Sequence, residues 1–281
     1  MSTPLLKVQS LKLSLNPTFL ADRAKEVLRS VSFILDRGQS LAILGQTASG
    51  KSLLLRSLSR FFHGLSIREA EGEVLFEGKN LLRTSQSRLL SLRGTRIAHV
   101  LQDAHSLFNP RLTIHQHFAT ILRIKQRKRV NPLDHAIQHL YRVGILDPES
   151  LLLHRVYPEE LDAATRQKIM IASALVCEPR LLIADEPTAE FDSGSAARIA
   201  ELLEQLKKES GLAVVIATGR VHRAEQFGDR IAILDQGELV ACSTPRELFD
   251  RGEHEATRAF VEGTLLAGAR RERLLAQGGQ S

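Results

Sequence analysis

The octapeptide Gly45-Gln46-Thr47-Ala48-Ser49-Gly50-Lys51-Ser52 narrows the possible fold more than any other feature of this chain. It has the form G-x-x-x-x-G-K-[ST] and lies between a short apolar run, SLAIL, and a segment over residues 51–62 whose apolar spacing is helical. A strand, a glycine-bearing loop and a helix in that order form a phosphate cradle. The loop amides curve around oxyanions, and the helix N-terminus adds positive potential. Lys51 is placed to reach the terminal phosphates and the Ser52 hydroxyl to ligate magnesium, so ATP and Mg2+ are the expected cofactors. A turn that merely caps a helix requires neither the lysine nor the serine.

The flanks extend the pattern. LLKVQSLKLSL (residues 5–15) alternates as a strand, VLRSVSFILDRG (27–38) reads as a second strand closing on Gly38, and SLAILG is a short buried one. Two or three strands thus precede the loop. EGEVLFEGKNL (71–81) returns to strand. Residues 113–175 read mostly as helix, with breaks at Asn131-Pro132 and Asp147-Pro148, before RLLIADE (180–186) restores the first pattern. The expectation is an α/β chain whose core is interrupted by a helical lobe. The tail after Phe249 carries charges and glycines and is expected to be loosely helical.

RLLIADE ends on Asp185 and Glu186, two carboxylates at the C-terminal end of a buried strand, where open α/β sheets bind ligands. Asp185 is expected to hold the magnesium shell. Glu186 is expected to polarise an attacking water as general base, because phosphoryl transfer needs positioning and charge stabilisation more than covalent chemistry.

Composition removes several classes. A chain of 281 residues can bury a sufficient core without staples, and Cys177 and Cys242, lacking metal-ligand spacing, read as buried thiols of a reducing compartment. No apolar run approaches a spanning helix, and MSTPLLKVQS lacks the pattern of a signal peptide, so a cytoplasmic protein with a peripheral membrane role is expected. The formal charge is +6, with basic clusters at RIKQRKR (123–129) and ARRER (269–273). Without tryptophan, and with few aromatics among the bases, nucleic acid is not an expected partner.

Several further segments carry a resemblance to a known family: LRGTRIAHVLQDAHSLFNP (92–110), Tyr157-Pro158, Arg166-Gln167-Lys168 with MIASAL, PRLLIADEPT (179–188) and HEATRAFVEGTL. Together with the phosphate loop they resemble the ATP-binding cassette ATPases of the peptide and nickel importer branch, over nearly all of residues 4–262. The resemblance implies a P-loop NTPase (RecA-like) core with an N-terminal antiparallel β region and an inserted helical subdomain. It places the ATPase domain over 1–262, the helical subdomain at about 113–175, and a loosely ordered tail over 263–281. Gln102 would contact magnesium and report to the transporter, giving a catalytic set of Glu186, Lys51 and Gln102 and a metal set of Ser52, Gln102 and Asp185. The implied partners are two membrane permease subunits, a second ABC ATPase subunit and, indirectly, a solute-binding protein, at the inner face of the cell membrane.

The chain departs from that pattern at informative places. The family's Leu-Ser-Gly-Gly segment, which clamps the γ-phosphate bound by the opposite subunit, is here Leu161-Asp162-Ala163-Ala164-Thr165. Asp162 adds a carboxylate that repels a polyphosphate, and alanines obstruct close backbone approach, although Asp162 also suits an ordinary helix N-cap. Aligned on Asp229-Arg230, the family's switch histidine falls on Gly219; His222 either substitutes by a local shift or is a surface histidine. The aromatic that stacks on adenine is expected near Leu15, which is aliphatic, leaving Phe19 to replace it. Asp192 matches the family's dimer-contacting aspartate, and the C-terminal cysteine cluster of many peptide-importer ATPases is missing, so no iron–sulfur site is expected. These departures predict attenuated hydrolysis and favour a heterodimer with a more competent subunit over a homodimer. A non-hydrolysing regulatory subunit and a soluble ABC ATPase stay open as alternatives. The solute stays open among dipeptides, oligopeptides, antimicrobial peptides, opines and nickel.

Overall fold

The alternation of strand β1 (Leu6–Leu15) changes phase halfway: Leu6 and Val8 are buried, then Leu11 and Leu13. The cause is a bulge, with Ser10 at φ 45° and the pairing to β2 (Lys25–Leu35) shifting between Val8 and Leu11. The strand on its other side, β4 (Ile67–Phe76), accommodates it with Gly72, where any Cβ would stand 2.4 Å from the Ser10 carbonyl oxygen. This computed structural model of the protein describes residues 3–17, 25–101, 108–124 and 131–250.

Among the described residues, β2, β1, β4 and β5 (Lys79–Asn80) form an antiparallel sheet in that order. The stretch read as one strand over 71–81 is therefore two. Glu77 and Gly78, with φ of 49° and 77°, make the tight turn between them, as a primed hairpin turn requires.

The second sheet builds the site. It contains β3 (Ser40–Leu44), β6 (Ile97–Val100), β7 (Leu181–Asp185), β8 (Ala213–Thr218), β9 (Arg230–Asp235) and β10 (Glu238–Ser243). Their order is β10-β9-β3-β8-β7-β6, parallel except for β10 at the edge. Strands β3, β7 and β8 are buried along their whole length, as continuous apolar runs are when both faces of a parallel sheet are covered. Because β3 lies between β9 and β8, its C-terminal end is a topological switch point, flanked by connections that leave in opposite directions.

Helix α1 (Lys51–Ser57) leaves that switch point and packs against β7 and β8. It is shorter than the expected 51–62. Arg60 takes the left-handed conformation at φ 52°, and the Phe61 amide closes the end on the Arg56 carbonyl at 2.8 Å. After α2 (Gln86–Leu92) and β6, the helices α3 (Ile114–Ile124), α4 (Pro132–Arg142), α5 (Pro148–Leu153) and α6 (Ala163–Leu175) follow one another. The two expected breaks are helix starts. Asn131 accepts from the Leu133 amide and Asp147 from the Ser150 amide, each followed by proline at the first helical position, where a missing N–H costs nothing.

The lobe is not a separate body. Phe118, Leu140 and Ile169 share one apolar cluster with Val100, Leu182 and Val214 of the sheet, while Leu54 of α1 and Leu58, which caps its C-terminus, join the antiparallel sheet on the opposite face. The chain then runs through α7 (Ser193–Ser210), α8 (Val221–Phe227) and α9 (Pro245–Asp250). Helix α9 covers the start of the tail expected after Phe249, and the rest of that tail lies outside the described residues. No described helix is long and apolar enough to cross a membrane.

Candidate functional site

The loop leaves β3 at Gly45, where a Cβ would stand 2.5 Å from both the Leu234 carbonyl oxygen and the Ser49 hydroxyl, so only glycine fits. It then turns back through Ala48 at φ 66° and Gly50 at φ 106°, and the Leu54 amide starts α1 on the Gly50 carbonyl at 2.8 Å. Alternating hand along Gln46–Gly50 is what makes successive amides face one concave side. Sequence reasoning missed the role of Ala48. A non-glycine residue in the left-handed region costs about 1 kcal/mol, which the loop tolerates because its neighbours are fixed.

The Lys51 ammonium folds across this concavity, donating to the carbonyls of Gly45 at 2.7 Å and Gln46 at 2.8 Å. Burial lowers its pKa, while the charges of Glu186 and then Asp185 pull it back up. Asp185, the last residue of β7, is only 8 % exposed. Burial raises its carboxyl above the ordinary range, and a hydrogen bond with Ser52, then the charges of Lys51 and Arg56, oppose that rise. The fold thus brings Ser52, Lys51 and Asp185 together. A hydroxyl and a carboxylate are hard oxygen donors of the kind Mg2+ takes, so the residues present fit the ion. Gln102, expected as a further ligand, and Phe19, expected against adenine, both lie outside the described residues. Leu15 ends β1, half-buried.

Glu186 sits at φ 45°, with its amide donating to the Ala217 carbonyl at 2.9 Å. Its Oε1 accepts from the Gly219 amide at 2.6 Å and its Oε2 from the Thr218 hydroxyl at 3.1 Å. Gly219 thus meets Glu186 through its main chain. A Cβ at 219 would lie 3.6 Å from Glu186 Oε1 and from the Gly45 carbonyl oxygen, ordinary contact distances that leave room for a side chain. His222 is exposed at the second position of α8, and among the described residues no hydrogen bond joins it to Lys51, Asp185 or Glu186. Burial, then Arg223 and Arg220, lower its pKa.

Asp162 caps α6. The Thr165 amide donates to its Oδ1 at 2.9 Å and the Thr165 hydroxyl to its Oδ2 at 2.6 Å. Those two bonds, the hydroxyl's first, hold its carboxyl below the ordinary range, so a full negative charge sits at this exposed helix N-terminus. Asp192 caps α7 in the same way through Ser195. Sequence reasoning also gave Gln167 no structural task. It is 2 % exposed, and its amide donates to the Pro187 carbonyl at 3.1 Å, tying α6 to the loop that follows Glu186. Beside α6, a groove of about 420 Å³ opens between β6 and α3, lined by Ala98, His99, Phe108, His117, Ile121 and Met170.

Residues 28–189 match the family model described as ABC transporter. Over 237 residues the chain is 32 % identical to a dipeptide transport ATP-binding protein of Bacillus subtilis, covering 84 % of this chain and 70 % of that protein. It is 35 % identical over 235 residues to a probable peptide ABC transporter ATP-binding protein of Sinorhizobium fredii, covering 83 % and 70 %. Among solved structures, a dimeric ATP-binding cassette in a post-hydrolysis state bound to ADP and Pi superposes with a TM-score of 0.75 at 25 % identity, covering 86 % of this chain and 99 % of that one.

Proposed function

The chain belongs to the ABC transporter family, whose ATP-binding domains couple ATP hydrolysis to transport, and from that premise we propose that it energises a peptide importer at reduced turnover, paired with a more competent ATP-binding subunit. One observation carries the reduced turnover: the Asp162 carboxylate, engaged by both polar groups of Thr165, occupies the helix N-terminus that would otherwise receive a partner's γ-phosphate.

In this chain's own pocket, the amides of residues 45–50 and the Lys51 ammonium receive the β- and γ-phosphates of ATP. Lys51 gives up its bonds to the Gly45 and Gln46 carbonyls as it turns toward the phosphates. Ser52 and Asp185, with Gln102, would hold Mg2+, which when bound neutralises charge on the phosphates. Glu186 orients the attacking water and takes its proton at Oε1 or Oε2. Charge developing on the transferred group lacks one stabiliser, because residue 219 has no imidazole, and losing one such contact costs roughly 3 kcal/mol. Asp192 contributes to the dimer contact, and closure over two nucleotides drives the transport step, with hydrolysis resetting it.

The proposed partners are two permease subunits and a second ATP-binding subunit at the inner membrane face. Helices α3 to α6 and the groove beside β6 form the surface offered to the permeases. The test is reconstitution with the cognate permeases and ATP-binding partner in proteoliposomes, following ATP turnover and uptake of labelled peptides. Slow turnover by the chain alone, and faster turnover with peptide uptake in the assembly, is the expected result. Fast turnover by the chain alone, or an assembly that moves no peptide, would sink the proposal.

A further inference from the structure

We infer that the Thr218 hydroxyl is a positioning group for Glu186, holding the carboxylate in the orientation its task as general base requires. The inference rests on the reading of Glu186 as that base. Thr218 closes β8 and is 2 % exposed. Its Oγ1 accepts the Arg220 amide at 3.1 Å and lies 3.1 Å from Glu186 Oε2. A hydroxyl has one proton and an ionised carboxylate has none to give, so the direction is fixed: Arg220 N–H donates to Thr218, and Thr218 O–H donates to Glu186.

The Gly219 amide supplies the second donor, on Oε1 at 2.6 Å. Each carboxylate oxygen then accepts one bond from the turn after β8 and keeps a lone pair for water. The main chain of Glu186 is anchored on the same strand, through its amide to Ala217, which fixes the residue in its left-handed conformation. Backbone and side chain of Glu186 are therefore both held by residues 217–219. Because the side chain at 219 is absent, orientation from a side chain falls to Thr218. Its β-branch restricts χ1, so the hydroxyl does not swing away.

The test uses the assembled transporter with the partner's own pocket silenced. Thr218→Val keeps the shape and removes the proton, Thr218→Ser keeps the proton, and each is measured alone and combined with Glu186→Gln. Thr218→Val is expected to lower kcat by about 10- to 100-fold with KM within about twofold, since a misoriented base costs rate and not binding. Thr218→Ser is expected to restore most of kcat, and Thr218→Val to cause no further loss in the Glu186→Gln background. Should the valine variant fold poorly by melting, Thr218→Ala takes its place against the same serine control.

A wild-type kcat in Thr218→Val while Glu186→Gln is inactive overturns the positioning role and leaves the base assignment standing. Failure of serine to restore the rate, or a full valine effect in the glutamine background, also overturns it, because the methyl group or another target would then be responsible. Undiminished hydrolysis by Glu186→Gln overturns the base assignment and the inference with it.

Discussion

Asp162→Asn separates the two things Asp162 does. Asparagine caps a helix about as well as aspartate, accepting the Thr165 amide through its side-chain oxygen, but it carries no charge. A γ-phosphate brought to the N-terminus of α6 would form a close charge pair with the capping carboxylate, for which about 4 Å is the reference separation. The repulsion is then roughly 1 kcal/mol per unit charge in bulk water and about 4 kcal/mol at the lower effective dielectric of a closed interface. Removing the charge should therefore speed turnover in the partner's pocket between about fivefold and several hundredfold. The assay is phosphate release by the heterodimer with this chain's own pocket silenced by Glu186→Gln, which removes the base and leaves the phosphate-binding loop intact. The bonds from Thr165 hold the Asp162 carboxyl below its usual range, so it stays ionised near neutrality and the gain should be the same across a window of about two pH units around pH 7. Asp162→Ala, losing the cap as well, should cost about 1 kcal/mol of stability, or roughly 2–4 °C in Tm, whereas Asp162→Asn should melt close to the wild type. Turnover in Asp162→Asn no faster than wild type would refute the reasoning, since the cap is preserved and only the charge has gone.

Lys51→Ala should abolish measurable MgATP binding in calorimetry, a loss on the order of 2 kcal/mol or more for a charge-assisted contact, and unchanged affinity in a folded variant would remove the phosphate-loop assignment. Gly219→His should raise turnover in this chain's own pocket, because a Cβ there meets nothing closer than 3.6 Å; a folded variant that hydrolyses no faster would show that the missing imidazole is not limiting. His99, bonded to the Ser59 hydroxyl at 2.6 Å, has its pKa lowered to about 4 by burial, then by Arg93 and Arg56. Its depressed folded value means it contributes stability fully above the unfolded value of about 6.5 and loses it as pH falls toward 4, by roughly 3 kcal/mol. Chemical denaturation across that window should give a steeper acid loss for the wild type than for His99→Gln, and identical slopes would exclude His99 as the cause.

Much of the site was legible because its signals are local. The octapeptide carries its own strand, loop and helix, and Asn131-Pro132 and Asp147-Pro148 spell out helix starts within four residues. Asp162 was readable both as a cap and as a misplaced charge, and the structure shows the cap. The length of α1 and the single-strand reading of 71–81 went astray for a related reason. Arg60 and Glu77 take left-handed conformations that their residue types do not advertise, so the helix stop left no glycine at its turning residue and the hairpin turn showed only Gly78, the second of its two central residues.

The sequence by itself determined that this chain is an α/β protein with a phosphate-binding loop and two carboxylates at a strand end. Those are properties of short windows, set by periodicity, residue type and spacing. Tertiary structure alone decided what touches Glu186. Residues 186 and 218 are neighbours only because β7 and β8 pair in parallel, with Asp185 opposite Ala217, and a parallel pairing needs the whole of α7 to return the chain. The same holds for Gln167 under Pro187 and for Lys207 of α7, whose ammonium joins Asp229, just before β9, at 2.8 Å and the Ser40 hydroxyl of β3 at 3.1 Å. Partners separated by tens to more than a hundred residues are chosen by which faces the core buries together, and that choice is made by all the apolar contacts at once, so no window of sequence contains it.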